Sequence, residues 1–234
     1  MESLLLPSKI RYEKSERPNE GTLVVEPCSP GYGTTIGNAL RRVLLSSLPG
    51  AAVTAVKIKG VDHEFSTVEH VKEDVVEIIL NLKALRLKLH SQDPVKIFLT
   101  TSGEKIVTAA DFEKDAQVDV VNPDHVICTM TDKGAKLEME VTVSPGRGYR
   151  STEERAKEKL ELGNIAIDAL YSPVLNVSYK VEATRVGEKT DFDKLMLRVE
   201  TDGTVDPKDA VVQAVAILLD HFNLLTNPEV EETA

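Results

Sequence analysis

One stretch near the start of the chain, Thr34 to Gly50, constrains the fold most strongly. Threonines that can cap a helix stand at its beginning and a Pro-Gly pair that stops one stands at its end, so the stretch predicts a single helix. At about 100° per residue its apolar side chains cover an arc of about 200°, roughly twice the stripe that a helix needs to pack on one core. Two interpretations are open: the helix is wholly buried in its own domain, or it packs on its own sheet and also on a second chain.

The remaining edge of this helix is polar and presents Arg42 beside the short amide of Asn38. A guanidinium has five donors in a fixed planar arrangement, which suits a partner's carboxylate or backbone carbonyls. We therefore interpret Arg42 as a candidate contact with another protein.

The last predicted helix has a similar excess of apolar surface. Asp206 can cap it, and Pro207 fits its first turn. The run from Ala210 to Leu225 is apolar nearly all round, and such a helix must be buried on several sides. One sheet cannot cover it, so another helix of this chain or a second chain must. Two over-wide helices at opposite ends of a protein this small favour an obligate dimer.

Both ends of the chain also contain strand patterns next to these helices. Lys9 to Lys14 and Thr22 to Glu26 form strand-like runs before the first helix. Apolar and polar residues alternate from Leu175 to Ala183 and again from Leu195 to Val199, which predicts a hairpin before the last helix.

The middle of the chain is rich in short strand patterns separated by turns, with one helix. Ser66 to Glu69 reads as a capping box, so we expect that helix to open there and to continue to Lys83. The charged run from Ser151 to Glu161 is predicted to be either a solvated helix or a mobile loop.

The overall charge argues against direct work on nucleic acid. The chain has 28 basic and 38 acidic side chains, and its net charge of −10 repels phosphate over the surface as a whole. If this protein works on DNA or RNA, we expect other subunits to make the phosphate contacts.

No targeting or membrane segment is predicted. Only Leu4 to Leu6 precede Pro7, which is too short for a signal-peptide apolar region. The longest apolar run, Val211 to Leu219, is shorter than the roughly 20 residues that span a bilayer. Cys28 and Cys128 form no metal or redox motif. We therefore expect a cytoplasmic protein with two reduced structural thiols.

The sequence mostly lacks the motifs that are typical of enzymes. Gly31 and Gly33 precede a helix, as in a dinucleotide site, but the third glycine, Gly37, is one position too late and no repeating βαβ units follow. His63 with Glu64 lacks a second histidine at the zinc-binding spacing. We predict no catalytic residue and no metal ligand in this chain. A stand-alone nucleotide-binding enzyme that uses the Gly31/Gly33 loop, and a dimeric scaffold outside transcription, remain alternatives.

The segment Pro30 to Gly50 resembles, without a gap, the first helix of the alpha subunit of bacterial DNA-directed RNA polymerase. Other segments are similar to the same family in the same order over essentially the whole chain: 69–83, 107–111, 125–128, 146–149, 171–174, 190–195 and 201–207.

The resemblance implies an α+β fold with a discontinuous layout. Residues 1–49 and 172–234 would form a dimerisation domain of a sheet and two long helices, and residues 50–171 an inserted, mainly β domain. Two alpha chains would pair through the first and last helices. The dimer-interface residues that we expect are Ile36, Leu40, Val43, Leu44, Val215, Leu218, Leu219 and Phe222.

The resemblance also implies a non-catalytic role within a nucleotidyltransferase complex. The dimer would nucleate assembly of the beta and beta-prime subunits, with Arg42 and Leu45 as beta contacts and Lys83 and Ile167 as beta-prime contacts. The catalytic magnesium would lie in beta-prime, so we expect no cofactor in this chain and only an indirect relation to DNA. Relatives continue into a DNA- and activator-binding C-terminal domain, which we expect to be absent here because the sequence ends at Ala234.

Overall fold

The computed structural model describes residues 4–155 and 163–226. The chain divides into two compact units, Met1–Leu48 with Pro173–Ala234 and Pro49–Ser172. We call the first the terminal unit and the second the inserted unit. Of the charged run predicted as a helix or a loop, residues 156–161 lie outside the described part of the chain.

The described residues form fourteen strands, three α-helices and one turn of 3-10 helix at Ala109–Asp111. The strands are β1 (Lys9–Lys14), β2 (Glu20–Cys28), β3 (Pro49–Ile58), β4 (Leu87–Leu89), β5 (Val95–Ser102), β6 (Lys105–Thr108), β7 (Val118–Val120), β8 (Val126–Met130), β9 (Lys136–Arg147), β10 (Tyr149–Arg150), β11 (Ile165–Ala166), β12 (Ala169–Leu170), β13 (Val174–Val186) and β14 (Lys189–Thr201). The helices are α1 (Tyr32–Ser46), α2 (Val75–Lys83) and α3 (Pro207–Thr226).

The terminal unit is a four-stranded antiparallel sheet with two helices. Its strand order is β1-β2-β14-β13, so strands from both ends of the chain pair side by side. In the register of the central pair, Leu23 of β2 lies opposite Leu197 of β14. Leu40 and Leu44 of α1 and Ala210 and Ala214 of α3 are buried in the core.

The inserted unit is built mainly from strands. Its largest sheet has the order β11-β3-β9-β5, and three two-stranded pairs accompany it: β4 with β7, β6 with β8, and β10 with β12. Helix α2 buries Val75, Ile78 and Leu82 in the core of this unit. The α+β fold predicted from the sequence, with a β-rich middle region, is therefore confirmed.

The start of α1 differs from the prediction. No threonine caps it, and the residue before the helix, Gly31, has a left-handed conformation without a side-chain cap. The carboxylate of Asp193, on β14, instead accepts hydrogen bonds from the amides of Gly31 (2.9 Å) and Gly33 (3.0 Å). A carboxylate at this end suits the positive pole of the helix.

The start of α2 was also predicted wrongly. The helix begins at Val75 rather than at the expected capping box, and Asp74 is its cap, accepting a 2.7 Å hydrogen bond from the amide of Glu77. The preceding segment is occupied by contacts with β8. Val71 forms a β-bridge with Met130. Tertiary pairing therefore overrides the local helix signal.

Helix α3 begins as predicted. Pro207 is its first residue, and the carboxylate of Asp206 accepts a hydrogen bond of 2.9 Å from the amide of Lys208. The helix is 20 residues long with a mean hydropathy of 1.3, and by length and composition it is sufficient to cross a membrane. One such helix is weak evidence for a membrane span, so the expectation of no membrane segment stays a prediction. Only 17% of the most apolar 18-residue stretch of α3 is buried.

Gly37 allows α1 to approach the sheet closely. A β-carbon at this position would lie 2.8 Å from Cδ2 of Tyr179 and 2.9 Å from Cδ1 of Leu195. We expect Gly37→Ala to destabilise the protein by about 1–3 kcal/mol through overpacking, although alanine is the better helix former by about 1 kcal/mol. Urea unfolding measures this change. Asn38→Ala, on the exposed side of the same helix, is the control and should change stability by less than about 0.5 kcal/mol. Equal stability of the two variants would contradict the close approach.

Candidate functional site

Helix α3 leaves one apolar face uncovered within its own unit. Six of its large apolar side chains are more than a third exposed: Val212 (59%), Val215 (38%), Leu219 (54%), Phe222 (56%), Leu224 (75%) and Leu225 (73%). The first four recur every three or four residues and therefore lie along one stripe. We call Val212, Val215, Leu219 and Phe222 the α3 face.

An apolar groove adjoins the α3 face. It has a volume of about 610 Å³ and is bounded by β1, β2, α1 and α3, with Val212 and Val215 in one wall. Ile10, which is 67% exposed, and Ile36 contribute to the other walls. Contiguous exposed apolar surface of this kind is typical of a protein interaction site.

Helix α1 has an outer face directly opposite its buried one. Leu40 and Leu44 point into the core. At about 100° per residue, Arg42 lies on the opposite side, with Asn38 and Leu45 beside it. Arg42 and Asn38 are exposed, and Leu45 is 37% exposed. This outer face combines the permanently charged guanidinium of Arg42 with the apolar side chain of Leu45.

The glycine loop before α1 holds an anion of its own. The amides of Gly31 and Gly33, which would bind a nucleotide phosphate in a dinucleotide site, both donate to the carboxylate of Asp193. A phosphate at the same place would meet this negative charge. The structure therefore gives no support to the predicted alternative of a nucleotide-binding enzyme.

Lys83 is the last residue of α2, and its ammonium lies beside Asp168. The Nζ to Oδ2 distance is 3.3 Å, and each side chain is 32% exposed. The other carboxylate oxygen, Oδ1, accepts a 2.9 Å hydrogen bond from the amide of Thr152. This bond and the Lys83 ammonium lower the pKa of Asp168, while burial opposes them. Asp168 was not predicted as a site residue, since only proximity in the fold links it to Lys83.

Neither cysteine is arranged for chemistry. Cys28 and Cys128 are both buried and free. Burial, followed by the negative charges of Glu73 and Asp111, raises the pKa of Cys128 to about 12. In the part of the chain that the structure describes, no group of three or more His, Cys, Asp or Glu side chains is placed to hold a metal ion.

The comparisons with known proteins agree with the resemblance. Residues 56–172 match the family described as the RNA polymerase Rpb3/RpoA insert domain. The chain is 50% identical over 222 residues to the DNA-directed RNA polymerase subunit alpha of Roseiflexus castenholzii, covering 92% of this chain and 68% of that protein. The chain belongs to the family of DNA-directed RNA polymerase alpha subunits.

A second member of this family, from Moorella thermoacetica, is 53% identical over 204 residues, which is 87% of this chain and 65% of that protein. A third, from Roseiflexus sp., is 49% identical over 209 residues, or 89% of this chain and 64% of that protein. The chain thus spans about two thirds of the length of these family members.

The structure separates the predicted dimer-interface residues into three groups. Val215, Leu219 and Phe222 are exposed on the α3 face. Ile36, Val43 and Leu218 are half-buried and pack against the core of the terminal unit. Leu40 and Leu44 are only 4% and 0% exposed and lie in the unit's own core, and Leu40 also lines the apolar groove. Their place in a dimer interface stays a prediction.

The residues predicted to contact the beta and beta-prime subunits also differ in how exposed they are. Arg42 and Leu45 of α1 are exposed, and Lys83 is partly exposed. Ile167 is 1% exposed and lies in the core of the inserted unit, so its side chain is not accessible to a partner. Its neighbour Asp168 reaches the surface instead, because successive residues of an extended chain point to opposite sides.

We expect Asp193→Ala to lower stability by about 1–2 kcal/mol, because it leaves two amides at the start of α1 without their acceptor. Urea unfolding followed by circular dichroism measures the loss. Asp191→Ala, an exposed aspartate on the same strand, is the matched control and should be nearly neutral. A loss of the same size in both variants would show that β14 charge, rather than this cap, matters.

Proposed function

We propose that this chain acts in transcription as an alpha subunit of a DNA-directed RNA polymerase, where it homodimerises and then assembles the beta and beta-prime subunits. The observation that supports it is the uncovered α3 face on a chain that belongs to this family. The role is structural, and the catalytic magnesium and nucleotide chemistry belong to the partner subunits.

The size of the uncovered surface supports pairing. Fully burying one large apolar side chain contributes about 1.5–3 kcal/mol. The four side chains of the α3 face leave about half of that contribution unused in a single copy, since they are 38–59% exposed. A second copy presents the same face, and two identical apolar faces related by a twofold axis can bury each other.

The groove beside the α3 face gives the partner's side chains a place to enter. Val212 and Val215 belong both to the face and to the groove, so the two form one continuous apolar surface. A membrane could also cover an apolar helix of 20 residues. Family membership favours the protein partner, and we propose that the chain works in the cytoplasm.

The outer face of α1 suits a different partner from the α3 face. Arg42 lies on the side opposite the core and offers its guanidinium to a carboxylate or to carbonyl groups. Leu45 adds an apolar contact beside it, being 37% exposed. We propose that this mixed surface contacts beta, and that Lys83 of the inserted unit contacts beta-prime.

Replacing Phe222 by Asp should break the dimer. The substitution removes a phenyl group from the α3 face and places a charge there without a partner, which costs about 3 kcal/mol or more, roughly a hundredfold in the dimer dissociation constant. Sedimentation equilibrium over a range of concentrations measures it.

Phe65→Asp is the matched control for this experiment. Phe65 is 80% exposed in the inserted unit, so it presents a similar apolar side chain away from the α3 face. We expect this variant to dimerise like the unaltered chain. Dissociation of both variants, or of neither, would contradict an interface on α3.

Arg42→Ala should leave the dimer intact and weaken the capture of beta about tenfold, because an exposed guanidinium contributes only when a partner pairs with it. Titration of the immobilised dimer with purified beta subunit of the same organism measures the change. Arg41→Ala is the control: Arg41 is exposed on the same helix but about 100° away. A dimer that captures no beta at all would instead favour the predicted alternative of a scaffold outside transcription.

A further inference from the structure

We propose that Asp168 is a positioning residue that holds Lys83 in place, so that Lys83 and the neighbouring Tyr149 form one contact surface of the inserted unit for the beta-prime subunit. The inference rests on the proposed function, in which Lys83 meets beta-prime. It goes beyond it by assigning a role to a carboxylate that neither the sequence patterns nor the comparisons single out.

The carboxylate of Asp168 contacts two other segments of the inserted unit. Oδ2 lies 3.3 Å from Nζ of Lys83, at the end of α2. Oδ1 accepts a hydrogen bond from the amide of Thr152, in the turn after β10. Tyr149, on β10, lies close enough for the charge of Asp168 to raise the pKa of its hydroxyl. One side chain thus holds the end of a helix and a turn relative to one another.

The network remains charged over the physiological range. The hydrogen bond from Thr152, then the Lys83 ammonium and the Tyr149 hydroxyl, lower the pKa of Asp168. Burial, and then the negative charge of Asp168, raise the pKa of Tyr149, so its hydroxyl keeps its proton. The stabilisation from Asp168 is therefore complete above the ordinary aspartate pKa, and it is lost only as pH falls through the lowered value.

Positioning matters because a lysine has a long, flexible stem. Asp168 takes one of the three ammonium donors of Lys83 and leaves two for a partner's carboxylate or carbonyl oxygens. A side chain that is already held in place loses less conformational freedom when a partner binds. The side chain of Lys83 is 32% exposed, so it is both held and accessible.

The side chains around this ion pair are apolar and exposed. Tyr149 is directly opposite Leu170 in the antiparallel pair of β10 and β12, so both point to the same side. They are 57% and 58% exposed. Leu80, one turn before Lys83 on α2, is 57% exposed. An exposed tyrosine and leucines around a fixed cation have the composition of a protein interface, in which aromatic residues are enriched.

A second ion pair of the inserted unit lacks these features and serves as a control. Lys59 and Glu138 are 2.7 Å apart, which is closer than Lys83 and Asp168, but the Lys59 side chain is 72% exposed. The Glu138 carboxylate accepts from Lys59 through both of its oxygens, so the contact is an ordinary pair between β9 and the residue after β3. Exposed ion pairs of this kind contribute little to the stability of the fold.

The test compares Asp168→Asn with Lys83→Ala and with the double variant in the full-length dimer. Asparagine keeps an oxygen for the amide of Thr152 but removes the charge that holds Lys83. We expect Asp168→Asn to weaken the binding of beta-prime to the dimer–beta complex about tenfold. The double variant should bind no more weakly than Lys83→Ala, because Asp168 acts through Lys83. Asp168→Glu should restore part of the binding, and Glu138→Gln should change nothing.

The outcomes separate this proposal from the proposed function. Unaltered beta-prime binding by Asp168→Asn, while Lys83→Ala weakens it, overturns the positioning role alone. Fully additive losses in the double variant overturn it as well. Unaltered binding by Lys83→Ala overturns the beta-prime contact and the positioning role together. Dimer mass and beta capture should stay within error for Asp168→Asn, and the unfolding midpoint should fall only slightly. A loss of dimer mass and beta capture together with a large fall in the midpoint would show a purely structural role and overturn the proposal.

Discussion

The structure of the terminal unit depends on how much of its two helices one sheet can bury. Four strands cover the inner sides of α1 and α3, where Leu40, Leu44, Ala210 and Ala214 fill the core. The same sheet has no further surface for the α3 face, which stays exposed. Leaving apolar surface in water costs free energy in proportion to its area. One copy therefore has a fully packed core but still exposes an apolar face that a partner could bury. This imbalance supports the proposed dimerisation.

The order of the strands explains how a second domain can be inserted without disturbing this core. The central pair of the sheet joins β2, from the start of the chain, to β14, from its end. The sheet is therefore completed by strands from before Leu48 and after Pro173, whatever the sequence between them. The inserted unit has a hydrophobic core of its own. This division also separates the proposed functions, with dimerisation and the beta contact on the terminal unit and the beta-prime contact on the inserted unit.

Sequence patterns predicted the elements whose signals are local, and missed those that depend on distant residues. The alternation of β13 and the Asp206 cap of α3 are local signals, and both were predicted. The cap of α1 comes from Asp193, which is 162 positions from Gly31, so no local pattern reveals it. The apolar spacing of α1 gave its outer and inner sides but not the depth at which Leu44 is buried. Likewise, an alternation that includes Ile167 cannot tell which side of the strand faces the core.

The most direct test is the solution mass of the unaltered chain by multi-angle light scattering, measured while the protein is diluted from micromolar to nanomolar concentration. We expect a particle of twice 25.7 kDa that separates into single chains only at the low end of this range. A single-chain mass at every concentration would contradict it, because the α3 face would then be stable in water without a second copy.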